Sequence, residues 1–137
     1  MKKVGVFGSE YQADKQLVIR RLFEKLASLE AEVFVDRDFY LFLTDALNYE
    51  PAVSGILTSD EFDLDVALSL GGDGTFLRTA ARVNKQDIPI LGINTGRLGF
   101  LADVASKDIE DTLDELFKNY YKTEERTLLR LHTEDRV

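Results

Sequence analysis

A short glycine-rich segment, Gly-Gly-Asp-Gly-Thr at positions 71–75, is the part of the sequence best suited to chemistry. Gly71, Gly72 and Gly74 let the backbone turn sharply and approach a ligand closely, because glycine has no Cβ. A helix that begins after such a loop offers unbonded N–H groups and a favourable dipole to a phosphate group. Thr75 can add a hydroxyl donor. We therefore predict that this loop holds a phosphate.

Asp73 is the unexpected member of the loop. A carboxylate beside a phosphate is repulsive unless it binds a metal ion or removes a proton, so a loop that only held phosphate would favour Ser, Lys or another Gly. We predict that Asp73 acts as general base or Mg²⁺ partner in phosphoryl transfer. The alternative is that Asp73 only forms an Asx turn in a glycine-rich bend.

Two further features lie near this loop in the predicted fold. A second glycine-bearing turn begins with Asn94 and ends with Phe100, at the end of the next predicted strand. Phe100 could pack on a nucleotide base or belong to the ordinary core. Arg78 lies one turn into the helix after the first loop, where it could reach a phosphate or lie on a solvated helix face.

Strands and helices alternate along the chain, and they must position these loops. Residues 36–61 are less regular, with a short helix possible around residues 39–47 and a loop predicted at residues 48–61. The remaining predicted elements are strands at residues 4–7, 32–35, 65–70, 88–93 and 126–133, and helices at residues 12–29, 75–83 and about 108–117. This order predicts an open, doubly wound α/β domain with a mainly parallel sheet over residues 1–122.

The composition is that of a globular domain. The chain has 137 residues, of which 45% are hydrophobic and 31% charged, and no apolar run approaches the roughly 20 residues that span a bilayer. A net charge of −8 without a basic cluster argues against nucleic acid as a partner. The chain has no cysteine and one histidine, His132, which excludes thiolate and histidine-rich metal sites, and we expect a protein of the reducing cytoplasm.

Two segments together carry a family resemblance. Leu-Gly-Gly-Asp-Gly-Thr-Phe-Leu at positions 70–77, followed by Gly-Ile-Asn-Thr-Gly-Arg-Leu-Gly-Phe-Leu at positions 92–101, closely resembles the NAD kinase family. Diacylglycerol and sphingosine kinases share the first segment, whereas the second is specific to NAD kinases. The resemblance implies a Rossmann-like nucleotide-binding domain of the type also found in phosphofructokinases.

The resemblance also implies an activity and roles for individual residues. The family transfers a phosphoryl group from ATP, or in some members polyphosphate, to the 2′-hydroxyl of the adenosine ribose of NAD, with a divalent metal such as Mg²⁺. Asp73 matches the family's proton acceptor, and Asp73 and Gly74 match positions that contact NAD in the family. Arg78 matches a dinucleotide contact and Phe100 an aromatic of the adenine pocket. The phosphate-cradling and nucleotide-contacting positions also include Gly71, Gly72, Thr75 and Asn94.

The chain departs from the family pattern at its far end. In the family, a β-rich domain follows the α/β domain and brings an Asn-Glu pair and a Thr-Pro-Thr-Gly-Ser-Thr-Ala-Tyr segment, neither of which occurs here. Residues 123–137 resemble the start of that domain. We therefore expect a truncated fragment with little activity of its own, taken from an enzyme that forms a homo-oligomer, either a dimer or a tetramer. A lipid-kinase-like phosphotransferase and a non-catalytic nucleotide-binding module are the alternatives.

Overall fold

The computed structural model of the chain describes residues 3–8, 16–59, 62–83, 86–94, 104–105 and 108–119. Strands and helices alternate through most of this part of the chain, as the sequence predicted. The elements are β1 (Lys3–Gly8), α1 (Gln16–Ser28), β2 (Glu32–Asp36), α2 (Arg37–Asp45), β3 (Gly55–Leu57), β4 (Val66–Gly71), α3 (Asp73–Val83), β5 (Ile90–Asn94), β6 (Val104–Ala105) and α4 (Ile109–Asn119).

The strands form one parallel sheet in the order β3-β2-β1-β4-β5-β6. From β1 the chain moves outward through β2 to β3. It then returns to place β4 on the other side of β1, and moves the opposite way through β5 to β6. The reversal between β1 and β4 is a topological switch point, where the carboxyl ends of the strands leave a crevice for ligands. The predicted doubly wound parallel α/β fold is confirmed.

Helices cover both faces of the sheet. Helices α1, α2 and α4 bury side chains in one core with alternate residues of the strands, and α3 packs on the other face in a second core. In β4, Val66 and Leu68 belong to the first core and Ala67 to the second. Because crossovers between parallel strands are right-handed, helices that advance in opposite directions from the switch point lie on opposite faces.

Helix α1 buries the apolar stripe that its sequence predicted. Ile19, Leu22 and Leu26 are fully buried and Phe23 is 4% exposed. These positions recur every three or four residues and so share one helix face. Each such side chain stabilises the domain by roughly 1.5–3 kcal/mol relative to an exposed one. Leu22→Ala would therefore leave a cavity in the larger core.

The structure differs from the predicted elements in three places. The loop predicted at residues 48–61 contains the edge strand β3, in which Gly55 pairs with Phe34 of β2. A two-residue strand, β6, was not predicted and pairs with the end of β5. Helix α3 begins at Asp73, two residues before the predicted start, so Asp73 belongs to the helix and not to the loop. The predicted strand near residues 126–133 lies outside the described residues.

Two ion pairs join α1 to α4. Arg21 donates two hydrogen bonds to the carboxylate of Glu110, Nε to Oε2 at 2.9 Å and Nη2 to Oε1 at 2.5 Å. Lys25 Nζ lies 2.7 Å from Asp114 Oδ1 one turn further along both helices. The hydrogen bonds from Arg21 hold the pKa of Glu110 below its ordinary value. A guanidinium that donates two hydrogen bonds to one carboxylate in this way restricts the rotation of one helix relative to the other.

We expect Glu110→Gln to make stability less sensitive to acid. Since the folded pKa of Glu110 is lowered, its contribution is complete above the ordinary glutamate pKa of about 4.3 and disappears as pH falls through the folded value. Both side chains are more than one-third exposed, so the contribution at neutral pH is below about 1 kcal/mol. Urea unfolding at pH 7 and pH 3.5 checks this, with Glu115→Gln as control. The prediction would be contradicted if the free energies of unfolding of Glu110→Gln and wild type differed by the same amount at both pH values.

The helices of the described part are short and amphipathic. None of them combines the length and the apolar character needed to cross a lipid bilayer.

Candidate functional site

The glycine-rich loop lies where the sequence predicted it, at the carboxyl end of β4 beside the switch point. β4 ends at Gly71, Gly72 is the connecting residue, and α3 begins at Asp73. The amide of Phe76 donates to the carbonyl of Gly72 at 3.0 Å, which closes the first turn of α3 on the loop. Gly71 pairs with Asn94 at the end of β5. The loop therefore opens onto the edge formed by the carboxyl ends of neighbouring strands.

Gly71 is required by the fold itself. Its φ is +155°, a conformation that side chains with a Cβ rarely adopt. A Cβ built on Gly71 would also lie 2.6 Å from Oγ1 and 3.0 Å from Cβ of Thr75. The loop can therefore turn into α3 this tightly because position 71 has no side chain.

Gly72 and Gly74 are not required by the fold in the same way. A Cβ on Gly72 would meet no atom within 4 Å, and a Cβ on Gly74 would make only an ordinary contact, 3.5 Å from Nη1 of Arg78. Neither residue has a positive φ. Both are exposed at the start of α3. The absence of side chains there leaves space above the backbone, into which a ligand could approach the helix terminus closely.

Three buried hydroxyl residues lie next to the loop, and a contact between two of them joins α3 to β4. Ser69, Thr75 and Thr79 are each 5% exposed or less. Thr79 Oγ1 donates to the carbonyl of Thr75 at 2.8 Å and lies 3.3 Å from the hydroxyl of Ser69. Hydrogen-bonded hydroxyls can be buried at little cost, whereas unpaired ones cannot. Thr75, predicted to help hold phosphate, is 5% exposed, and its Oγ1 lies 3.4 Å from Nη2 of Arg78.

Arg78 lies over the first turn of α3, on the exposed side. Its Nη2 lies 3.4 Å from Thr75 Oγ1, and its Nη1 lies close to Gly74. The guanidinium therefore adds a positive charge beside the N-terminal end of the helix, where the helix dipole is also positive. This local field can attract an anion although the whole chain carries a net charge of −8.

Asp73 occupies the first helical position, half-buried, between the two open glycines. Carboxylates are favoured in the first turn of a helix because they complement the dipole. Asp73 also borders the space left by Gly72 and Gly74. The backbone of Asp73 therefore lies between two positions at which no side chain covers the start of α3.

Gly8, at the end of β1, is covered by a helix side chain. A Cβ there would lie 2.4 Å from Cε1 of Phe39, whose ring is fully buried. The aromatic ring therefore packs against the sheet at Gly8, whereas a Cβ on Gly72, just before α3, meets no atom within 4 Å.

Leu77 is an exposed apolar residue near the start of α3 that the sequence analysis did not single out. Its side chain is 56% exposed and follows the open glycines on α3. The helical repeat could have predicted this exposure, because Leu77 lies outside the buried face of α3. That face consists of Thr75, Phe76, Thr79 and Val83. Exposed apolar surface therefore lies close to the open glycines at the start of α3.

The second predicted loop is described only at its start. The backbone of Asn94 ends β5 and pairs with Gly71 on one side and with Ala105 on the other. Phe100 lies outside the described residues. No group of three or more acidic or histidine side chains able to hold a metal occurs in the part of the chain that the structure describes.

Fold and loop together define a doubly wound α/β domain of Rossmann type whose glycine-rich loop carries a carboxylate at the start of its helix. The chain belongs to the family described as the ATP-NAD kinase N-terminal domain, whose sequence profile matches residues 18–121.

Similar proteins agree with this assignment. The chain is 45% identical over 134 residues to an NAD kinase of Bacteroides fragilis and 38% identical over 135 residues to one of Porphyromonas gingivalis. In both cases 98% of the chain and 46% of the relative are covered, so the chain spans about half the length of these relatives. Yeast NADH kinase, solved in complex with NADH, has the same fold, with a TM-score of 0.71 at 18% identity, covering 92% of the chain and 39% of that structure.

Proposed function

We propose that the whole protein containing this chain phosphorylates the 2′-hydroxyl of the adenosine ribose of NAD, with ATP or polyphosphate as donor, and forms NADP. The observation that carries this proposal is the position of Asp73 between Gly72 and Gly74, which leave open space at the start of α3. A carboxylate in that position can accept the proton of a substrate hydroxyl while the phosphoryl group is transferred to the hydroxyl oxygen. NAD is proposed as the substrate because the similar proteins are named NAD kinase.

The chemistry assigned to Asp73 is removal of one proton. Its carboxylate accepts the proton of the ribose 2′-hydroxyl while that oxygen bonds to the terminal phosphorus of the donor. The bond between this phosphorus and the bridging oxygen breaks, and ADP leaves when ATP is the donor. A positioned general base typically contributes about 10²–10⁴-fold to such a rate.

The glycine loop and Arg78 are assigned to the phosphates. Backbone amides at the start of α3 and the Arg78 guanidinium present positive charge on the side of the helix where Gly72 and Gly74 leave room. Leu77, together with Phe100, would supply apolar surface for the adenine base. Thr75, whose Oγ1 lies 3.4 Å from Nη2 of Arg78, is assigned to the same loop.

A divalent metal fits this arrangement as a partner of the donor. Mg²⁺ is commonly held by one or two carboxylates together with substrate phosphates and water, and Asp73 provides a carboxylate at the cradle. When bound, the ion would neutralise charge that develops on the phosphates. The cytoplasmic location and the homo-oligomer expected from the sequence remain part of this proposal.

The proposal is tested by assaying the whole protein with NAD, NADH, sphingosine or diacylglycerol, each with ATP or polyphosphate. We expect Mg²⁺-dependent formation of NADP from NAD, and no phosphorylated lipid. Preferential phosphorylation of a lipid would contradict the assignment and favour the lipid-kinase alternative. Nucleotide binding without turnover of any acceptor would favour the non-catalytic module.

A further inference from the structure

Arg82, in the last turn of α3, joins that helix to three other parts of the domain. Its Nη1 forms an ion pair with Oδ1 of Asp36, which ends β2. Its Nη2 lies 3.3 Å from the carbonyl oxygen of Ser59, in the segment after β3. Its guanidinium carbon lies 5.0 Å from the centre of the Phe7 ring in β1. One side chain therefore links the helix that carries Asp73 to the half of the sheet on the other side of the switch point.

This ion pair is shielded from water. The side chains of Arg82 and Asp36 are 26% and 15% exposed, compared with 38% and 39% for Arg21 and Glu110. Screening weakens exposed ion pairs more than shielded ones. Loss of Arg82 would leave a poorly solvated carboxylate without its ion-pair partner, and such losses are costly. We therefore expect the position of Arg82 to be held firmly.

Asp36 is engaged on both oxygens. Oδ2 accepts a hydrogen bond from the amide of Phe39 at 3.3 Å and so caps the N-terminus of α2, while Oδ1 pairs with Arg82. An acid at the end of the second strand is the place where dinucleotide-binding Rossmann domains contact a ribose. Here the Phe39 ring also covers Gly8 at the end of β1. These contacts direct the carboxylate into the protein rather than towards a ligand.

We propose that Arg82 and Asp36 are positioning residues, whose ion pair fixes α3 on the sheet and thereby fixes Asp73 at its other end. The proposal rests on the proposed function. Helix α3 has 11 residues and is roughly 16 Å long, so a shift of its C-terminal end also moves its first turn. Reaction rates can fall by about 10²-fold for a displacement of about 1 Å in the reacting groups.

The test compares three variants of the whole protein. Arg82→Met keeps a long apolar side chain but removes the charge, and Asp36→Asn removes the ion pair while keeping a residue that caps helices well. Arg21→Met is the matched control, because it breaks an ion pair between α1 and α4, on the other face of the sheet. We expect Arg82→Met and Asp36→Asn each to lower kcat about 10-fold with KM for NAD changed less than about threefold. Arg21→Met should leave kcat unchanged.

Three further measurements separate positioning from other roles. The double variant should be no slower than the slower single variant, because both changes remove the same contact. Arg82→Lys, which keeps the charge, should recover part of kcat. Amide exchange of residues 76–80 should be several-fold faster in Arg82→Met and Asp36→Asn than in Arg21→Met. This exchange measurement does not depend on the substrate, so it decides the proposal even if wild type fails to form NADP.

Three outcomes would overturn the proposal. The first is a kcat of Arg82→Met equal to that of Arg21→Met. The second is a double variant whose kcat falls by the product of the factors found for the two single variants. The third is an Asp36→Asn variant whose main defect is a raised KM for NAD, which would make Asp36 a ribose ligand.

Discussion

Asp73→Asn is expected to lower the rate of NADP formation by the whole protein by about 10²–10⁴-fold, the usual contribution of a general base. Asparagine has nearly the same shape as aspartate but cannot accept the ribose proton. It is also tolerated near a helix N-terminus, so the domain should remain folded. Steady-state kinetics with NAD and ATP would show the loss in kcat, with little change in KM if Asp73 acts mainly in the transition state.

Asp111→Asn is a suitable control for the charge change. Asp111 is an exposed acid in the first turn of α4, a helix with an acidic start like that of α3, and it belongs to neither glycine loop. We expect this variant to retain wild-type kinetics. An Asp73→Asn variant with wild-type turnover would exclude Asp73 from the reaction and leave it only a structural role in the first turn of α3.

Gly71→Ala is expected to destabilise the domain by roughly 3 kcal/mol. Backbone strain at a φ of +155° contributes about 1–3 kcal/mol. Overpacking against Thr75, whose Oγ1 would lie 2.6 Å from the new Cβ, adds a similar amount. Part of this cost can be relieved only by moving the start of α3, so nucleotide binding should weaken as well. Urea unfolding measures the first effect and calorimetric titration with NAD the second.

Gly72→Ala provides the matched comparison one residue away. A Cβ at this position meets no atom within 4 Å and the backbone is not in the left-handed region, so stability should change by less than about 0.5 kcal/mol. The added methyl would nevertheless occupy the space proposed for the phosphates. We expect the KM for NAD or ATP to rise about 10-fold, equivalent to about 1.4 kcal/mol of binding free energy. Unchanged kinetics in this variant would mean that the open space at Gly72 is not used by a ligand.

Much of the architecture could be predicted from the sequence because it depends on local patterns. The stripe at Ile19, Leu22 and Leu26 identifies α1 through the helical repeat, and the apolar run that ends at Gly71 identifies β4. The alternation of such elements then permits few arrangements other than a parallel doubly wound sheet. The loop at the end of β4 was located for the same reason, since glycine and aspartate there follow directly after a buried strand.

The short elements could not be predicted in this way. β3 has three residues and gains its strand conformation by pairing with β2, where the Phe34 ring lies against Gly55. β6 has two residues and depends on pairing with β5. Such strands carry no periodicity long enough to recognise, because the hydrogen bonds that define them come from partners far away in sequence.

Local sequence patterns were thus sufficient to predict the fold class, the position of the Asp73 loop and the resemblance to NAD kinases, since each depends on residues adjacent in the chain or on a regular repeat. Three-dimensional packing was needed to learn which glycines the fold requires. Gly71 has a φ that other residues rarely adopt and is confined by Thr75, whereas Gly72 is open. The same packing also decided that Arg82 pairs with Asp36, 46 residues earlier. Contacts of this kind depend on how helices and strands pack together, and no local pattern in the sequence specifies that packing.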